Sequence, residues 1–227
     1  LGFLYNRGTD TFSARAVSKN GTMTAEQLAN LAECAAKYGS GRVCFTSRLQ
    51  VEMHGIHLED VENVQNHVAK VGLVIGGTGA KIRPLTACKG TTCVYGNADT
   101  QGICAQLHDR FFVGWGDVKL PHKFKIAVGG CPNSCMKPSL NDVGIEGCKA
   151  FSFDSEECRG CTTCAVEVHC PSKAVHTVNG KALIDADKCT ACGVCIGKCP
   201  FVAVPKNAQS VCRVFVGGTW GKTQRMG

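Results

Sequence analysis

Apolar residues recur at helical spacing in two places near the start of the chain. Residues 22–38 carry Leu28, Leu31 and Ala35 on one stripe. Thr24 followed by Gln27 makes a capping-box pair and Gly39 closes the segment, so a helix is expected there. Residues 58–70 set Val61, Val64, Val68 and Val71 at helical steps and predict a second helix. Between them, residues 42–53 alternate. Val43, Phe45, Leu49, Val51 and Met53 point one way and Cys44, Thr46, Arg48, Gln50 and Glu52 the other, which predicts a strand. One face of that strand is wholly polar, so something polar is expected to cover it.

From Gly76 the texture turns to glycine-rich loops: Gly76-Gly-Thr-Gly79, Gly129-Gly130 and Gly217-Gly218. The first lacks the Gly-Lys-Ser/Thr ending of a phosphate-binding loop. Close approach of backbone to a large flat cofactor is the expectation instead. The segment Leu120–Val128, read as a strand, sends Lys123 and Lys125 to one face and Phe124, Ile126 and Val128 to the other. Val211 to Gly217 also reads as a strand. The longest apolar runs, such as Val71-Gly-Leu-Val-Ile75, are too short to cross a bilayer, and no membrane insertion is expected.

Cysteine spacing changes the picture most. Of seventeen cysteines, two runs near the C-terminus repeat one pattern: Cys158, Cys161 and Cys164 before Cys170-Pro171, and Cys189, Cys192 and Cys195 before Cys199-Pro200. Runs of this kind wrap cubane [4Fe–4S] clusters, with the fourth cysteine of each crossing to the other cluster. The expected sets are therefore Cys158, Cys161, Cys164 and Cys199 for one cluster, and Cys189, Cys192, Cys195 and Cys170 for the other. The gap before Cys170 is longer than usual. A pair of zinc ribbons is the competing reading, but zinc pairs its ligands in twos and has no use for crossing. A third set follows from two short pairs, Cys88-Lys-Gly-Thr-Thr-Cys93 and Cys131-Pro-Asn-Ser-Cys135, which can close a third cubane.

These two pairs, with the Lys-Phe-Lys segment, resemble the sirohaem-containing sulfite and nitrite reductases. The first pair is one residue narrower than is usual there. The resemblance implies that Cys88, Cys93, Cys131 and Cys135 hold a cluster and that Cys135 also bridges it to sirohaem iron. It implies that Lys123, Lys125 and Arg83 reach the substrate, with Arg15 a further arginine for substrate or sirohaem. Arg48 and Thr46, in Phe45-Thr-Ser-Arg-Leu-Gln50, and the following His54 match a sirohaem-binding strand. Lys222 and Arg225 are candidate partners for the macrocycle's carboxylates. The implied fold is α+β: a ferredoxin-like half-domain over 1–75, a sirohaem/[4Fe–4S] domain over 76–150 and 207–227, and an inserted two-cluster ferredoxin module over 151–206.

The expected activity is sirohaem-dependent reduction of sulfite to sulfide, with nitrite the nearest competing substrate. An iron–sulfur electron carrier without sirohaem is the reading from another class, but a carrier needs no cationic pocket beside a cluster. A low-potential donor, such as a ferredoxin or a reductase subunit, is the expected electron source. The family closes its active site where two repeats meet. One repeat here predicts a homodimer or a hetero-oligomer with related subunits. The net charge of +7 does not point to nucleic acid. No basic run interleaved with aromatics is present, and anionic cofactors and substrate account for the excess. With no apolar N-terminal stretch before a cleavage site, a reducing cytoplasm is expected rather than a disulfide-forming compartment. Cys34, Cys44, Cys104, Cys148 and Cys212 have no ligand spacing and are expected to be structural, Cys44 being the one nearest to a cofactor role.

Overall fold

The computed structural model describes residues 2–227, in an α+β architecture with three separate apolar cores. In the first, strands β1 (Phe3–Tyr5), β2 (Phe12–Ala16), β3 (Val43–Phe45) and β4 (Val51–Ile56) form an antiparallel sheet in the order β1-β2-β4-β3. Helices α1 (Ala25–Tyr38) and α2 (Val61–Ala69) pack against it. The capping box forms as expected: the Gln27 N–H donates to Thr24 Oγ1 at 3.1 Å and Thr24 N–H to Gln27 Oε1 at 3.0 Å. Leu31 and Ala35 are buried with Met53, Val64 and Val68, but Leu28 is 43% exposed. Cys34 takes its place in the core, so the buried stripe is turned toward that side of the helix. Shortening the fully buried Leu31 to Ala costs about 3 kcal/mol.

Residues 42–53 are not one strand. A turn at 46–49 splits them, with Leu49 at φ 59° and the Thr46 N–H donating to Gln50 O. β3 folds back on β4 with Phe45 opposite Val51 and Val43 opposite Met53. Alternation survives on β4 at Val51 and Met53, both buried, and slips by one at Gly55 (φ 78°), beyond which Ile56 is buried. β3 is an edge, with Phe45 73% exposed. The pattern could not reveal the turn because a left-handed leucine carries no sequence mark.

The second sheet has the order β10-β7-β6-β5, from β5 (Thr86–Ala87), β6 (Ile126–Gly129), β7 (Val143–Ala150) and β10 (Gln209–Val216). β5, β6 and β7 are parallel and β10 closes the edge antiparallel to β7. Helix α3 (Thr100–Leu107), capped by Asp99, packs on this sheet. The Lys-Phe-Lys segment becomes regular strand only from Ile126. Its alternation nonetheless holds, with Phe124, Ile126 and Val128 in the second core.

β7 and β10 pair along their whole length, from Val143 with Val216 to Ala150 with Gln209. The chain between them leaves and returns at one point. It carries α4 (Ala165–His169), the hairpin β8 (Val175–Val178) and β9 (Lys181–Ile184), and its own core of Val166, Val175, Ala182 and Val204. Among the described residues no helix is long and apolar enough to cross a membrane.

Candidate functional site

Parallel neighbours deliver the pairs Cys88/Cys93 and Cys131/Cys135 to one place. Cys88 follows β5 directly and Cys131 stands two residues beyond the end of β6. The strands can be drawn this close because both loops carry glycine. A Cβ at Gly90 would lie 2.8 Å from the Gly130 Cα, closer than real contacts allow. Gly77 does the same for Pro84. Burial, and after it the thiols of Cys135, Cys88 and Cys93, push the Cys131 thiol up, which marks the four as one group. Cys135 is exposed, on a turn shaped by Ser134 at φ 54°.

The other eight cysteines line two cavities. Cys158, Cys161 and Cys164 share one with Cys199, and Cys189, Cys192 and Cys195 share the other with Cys170. In each of the three sets one sulfur accepts a backbone N–H: Cys88 from Gly130 at 3.1 Å, Cys170 from Ala174 at 3.3 Å, and Cys158 from Ala182 at 3.4 Å. The N–H groups of Ala182 and Gly160 draw the Cys158 thiol below its ordinary value. Amide donors aimed at sulfur favour thiolate and are the contacts that tune an iron–sulfur cluster. Four cysteines around each of the two cavities, with amide donors aimed at sulfur, are a donor set that fits a [4Fe–4S] cluster.

Lys123, Lys125 and Lys222 line one cleft of about 370 Å³ together with Asp142 and Trp220. The Lys125 N–H donates to Asp142 Oδ2 at 2.7 Å, which fixes the backbone at its mouth. Burial first, then Lys123 and Arg48, hold the Lys125 ammonium below its ordinary pKa. Arg48 is depressed to about 10 by burial and by Arg83, and Arg83 is lowered by burial and by Arg15. These cations crowd one another, and a field of that sign favours an anion. Arg83 bonds the Gly77 carbonyl through one nitrogen and leaves its buried Nε without a partner. That orphan donor, with the lysine cleft, fits an anionic macrocycle or substrate.

Other candidates are committed elsewhere. Arg15 forms an ion pair with Glu52 at 2.6 Å across β2 and β4. Arg48 donates to the carbonyls of Pro84 and Ile126 and to Asn141 Oδ1. Thr46 Oγ1 accepts from Gln50 N–H and shapes the turn. The His54 ring meets Ser13 Oγ at 3.1 Å through Nδ1, and its buried Nε2 has no hydrogen-bond partner, Glu52 Oε1 lying 3.9 Å away. Arg225 holds the tail by donating to Gly217 O.

The nitrite and sulphite reductase 4Fe-4S domain family matches residues 78–227, and the nitrite/sulfite reductase ferredoxin-like half domain matches residues 5–71. The chain belongs to the nitrite and sulfite reductase family. Coenzyme F420-dependent sulfite reductase of Methanocaldococcus jannaschii is 33% identical over 72% of this chain and 26% of its own length. One subunit of the anaerobic sulfite reductase of Salmonella typhimurium is 31% identical over 91% of this chain and 65% of its own length. The chain thus spans roughly an eighth to two thirds of the length of the curated relatives it matches. The crystal structure of dissimilatory sulfite reductase I superposes with a TM-score of 0.68 over 95% of this chain and 56% of that one, at 21% identity, a likeness of fold.

Within this member of the reductase family, the sequence pattern missed several residues. Asp142 and Asn97 belong to no motif, since an acid or amide whose partner lies far along the chain leaves no local mark. α3 was legible in principle from Asp99 as a cap, with Ile103 and Leu107 at helical spacing behind it.

Proposed function

We propose that this chain is the cluster- and sirohaem-bearing unit of a sulfite reductase that converts sulfite to sulfide. The lysine cleft carries the reading, since a reductase with nothing anionic to hold has no use for three lysines around one opening. We assign Cys88, Cys93, Cys131 and Cys135 to the core [4Fe–4S] cluster, and Cys135 would also hold the iron of sirohaem. Cys158, Cys161, Cys164 and Cys199, and Cys189, Cys192, Cys195 and Cys170, hold two further [4Fe–4S] clusters in an inserted module over 151–206. When bound, these groups supply single electrons at low potential and an open iron site.

The chain's own residues do the rest. Sulfite leaves its three oxygens as water, and each departure consumes two protons. Lys123 and Lys125, with Arg83, hold the oxygens and stand as proton donors at them, and fixed cations act most strongly where water is scarce. Lys222 and Arg225 would serve the carboxylates of the macrocycle, and Arg48, Thr46, His54 and Arg15 would join them by exchanging the protein contacts they hold here. The electron source is a low-potential donor protein, and the setting is the cytoplasm. Two copies, or this chain with a related subunit, make the working assembly.

Nitrite is the second reading, because the matching family covers both anions. Steady-state assays of the anaerobically purified protein with each anion and a low-potential donor decide between them. A strong preference for nitrite overturns the choice of sulfite. An absorption spectrum with iron–sulfur bands but no chlorin-type band would return the chain to the electron-carrier class.

A further inference from the structure

We infer that Asn97 is a positioning residue that clamps the Cys192 turn onto the core cysteine loops, so that the Cys170/Cys189/Cys192/Cys195 set, and not the Cys158 set, faces the core set. The inference rests on the cluster assignment proposed above and adds an order and a residue to it.

Asn97 is buried, 8% exposed, on the loop between Cys93 and α3. Its side-chain Nδ2 donates to the Cys192 carbonyl at 3.1 Å and its backbone N–H to the Gly130 carbonyl at 2.7 Å. Gly130 in turn donates its own N–H to Cys88 Sγ. One residue thus joins a cysteine of the second cavity to a cysteine of the core set through three consecutive hydrogen bonds. The adjacent carbonyl, of Ala191, is held in the same way by the Lys149 N–H at 2.9 Å. Ala191 at φ 54° and Gly193 at φ 80° flank Cys192, and this left-handed pair turns two successive carbonyls outward. A left-handed alanine is strained, and these two bonds to the body offset that strain.

The surrounding space agrees. A cleft of about 460 Å³ is lined from one side by Cys131 and Asn133 and from the other by Pro171, Cys192 and Val194. The Cys158 cavity is walled only by residues between Phe153 and Ala203 and touches nothing of the core loops. An amide is required at 97: the carbonyl of Cys192 needs a donor, and a carboxylate of the same shape would repel it.

The test compares wild type with Asn97→Asp, isosteric but lacking the donor, and with Asn97→Leu. Hydrogen exchange of the Lys149 amide in the purified full chain reports the docking directly, whatever the metal content. Exchange is expected to quicken roughly fivefold to tenfold in both variants, the effect of one buried hydrogen bond. Unchanged exchange overturns the clamp. In the iron-loaded, dithionite-reduced protein, electron paramagnetic resonance is expected to show spin–spin interaction with the core set. Cys189→Ser should abolish that interaction and Cys161→Ser should leave it; the reverse pattern overturns the order. A wild-type protein that binds no iron contradicts the cluster assignment while leaving the exchange test of the clamp to stand or fall alone.

Discussion

The guanidinium of Arg48 donates to the Pro84 carbonyl through Nε at 3.1 Å and Nη2 at 2.8 Å, although the two residues flank different hydrophobic cores. Two further bonds, to Ile126 O and Asn141 Oδ1, complete its shell. Arg48 therefore ties the turn between β3 and β4 to the strands that lead into both core cysteine pairs. Its family match points to sirohaem, and its geometry adds a structural role.

Arg48→Lys tests that role. Lysine keeps the charge but loses the planar fork, and a buried ammonium meets only part of the shell. The expected loss is on the order of 3 kcal/mol, roughly 6–12 °C in Tm, even in cofactor-free protein. Thermal or urea melting measures it, and an unchanged midpoint sinks the strut.

Lys125→Ala separates substrate from cofactor. Iron and sirohaem content should match wild type while kcat/KM for sulfite falls by about 3 kcal/mol, roughly a hundredfold or more. Loss of sirohaem alongside activity would assign Lys125 to the macrocycle's carboxylates, and an unchanged rate would remove it from the site. Because Lys125 is crowded by Lys123 and Arg48, Lys125→Met should in addition raise the melting temperature of the anion-free protein.

The depressed Lys125 pKa fixes the sign of the pH dependence. In the free protein its proton leaves below the ordinary lysine range, and a bound anion holds that proton more tightly. Sulfite affinity is then complete below the free-state value and declines as pH rises through it, by at most about tenfold per pH unit. For stability the direction is opposite: the charged form is the penalised one in the fold, and the penalty lifts as pH climbs from the folded value toward the unfolded one. Sulfite titrations from neutral to alkaline pH, repeated on Lys125→Arg, measure the first effect. Affinity that stays flat into the ordinary lysine range would exclude it.

Lys123 and Lys125 precede β6 and Cys131 and Cys135 follow it, so they stand at opposite ends of a strand about 13 Å long. One chain is poorly built to bring both to the same iron, and the lysines are expected to serve the site of a second copy or a related subunit. Mixing Cys135→Ser with Lys123→Ala, each inactive alone, should restore activity. A fully active monomer in sedimentation would refute the shared site.

Much of this was legible early. The capping box at Thr24 and Gln27, the alternation around Phe124 and Lys125, and the spacing within each late cysteine run all depend on residues a few positions apart. Cys170, whose spacing was unusual, lies in the cavity its pattern assigned and accepts the Ala174 N–H. The turn at Leu49 was not legible, nor was the engagement of Arg15 with Glu52, because both depend on what lies across the sheet.

The types of most elements, the three cysteine sets and the cationic character of the Lys123–Lys125 segment can be read without a fold. They follow from periodicity and ligand spacing, which are properties of short stretches of chain. Folding alone established that Lys222 joins those lysines, that Arg48 is held by Pro84, and that Asn97 stands between Cys192 and Gly130. Each of these joins segments far apart in sequence, and packing of the two sheets and their loops, not any local propensity, sets which of them meet.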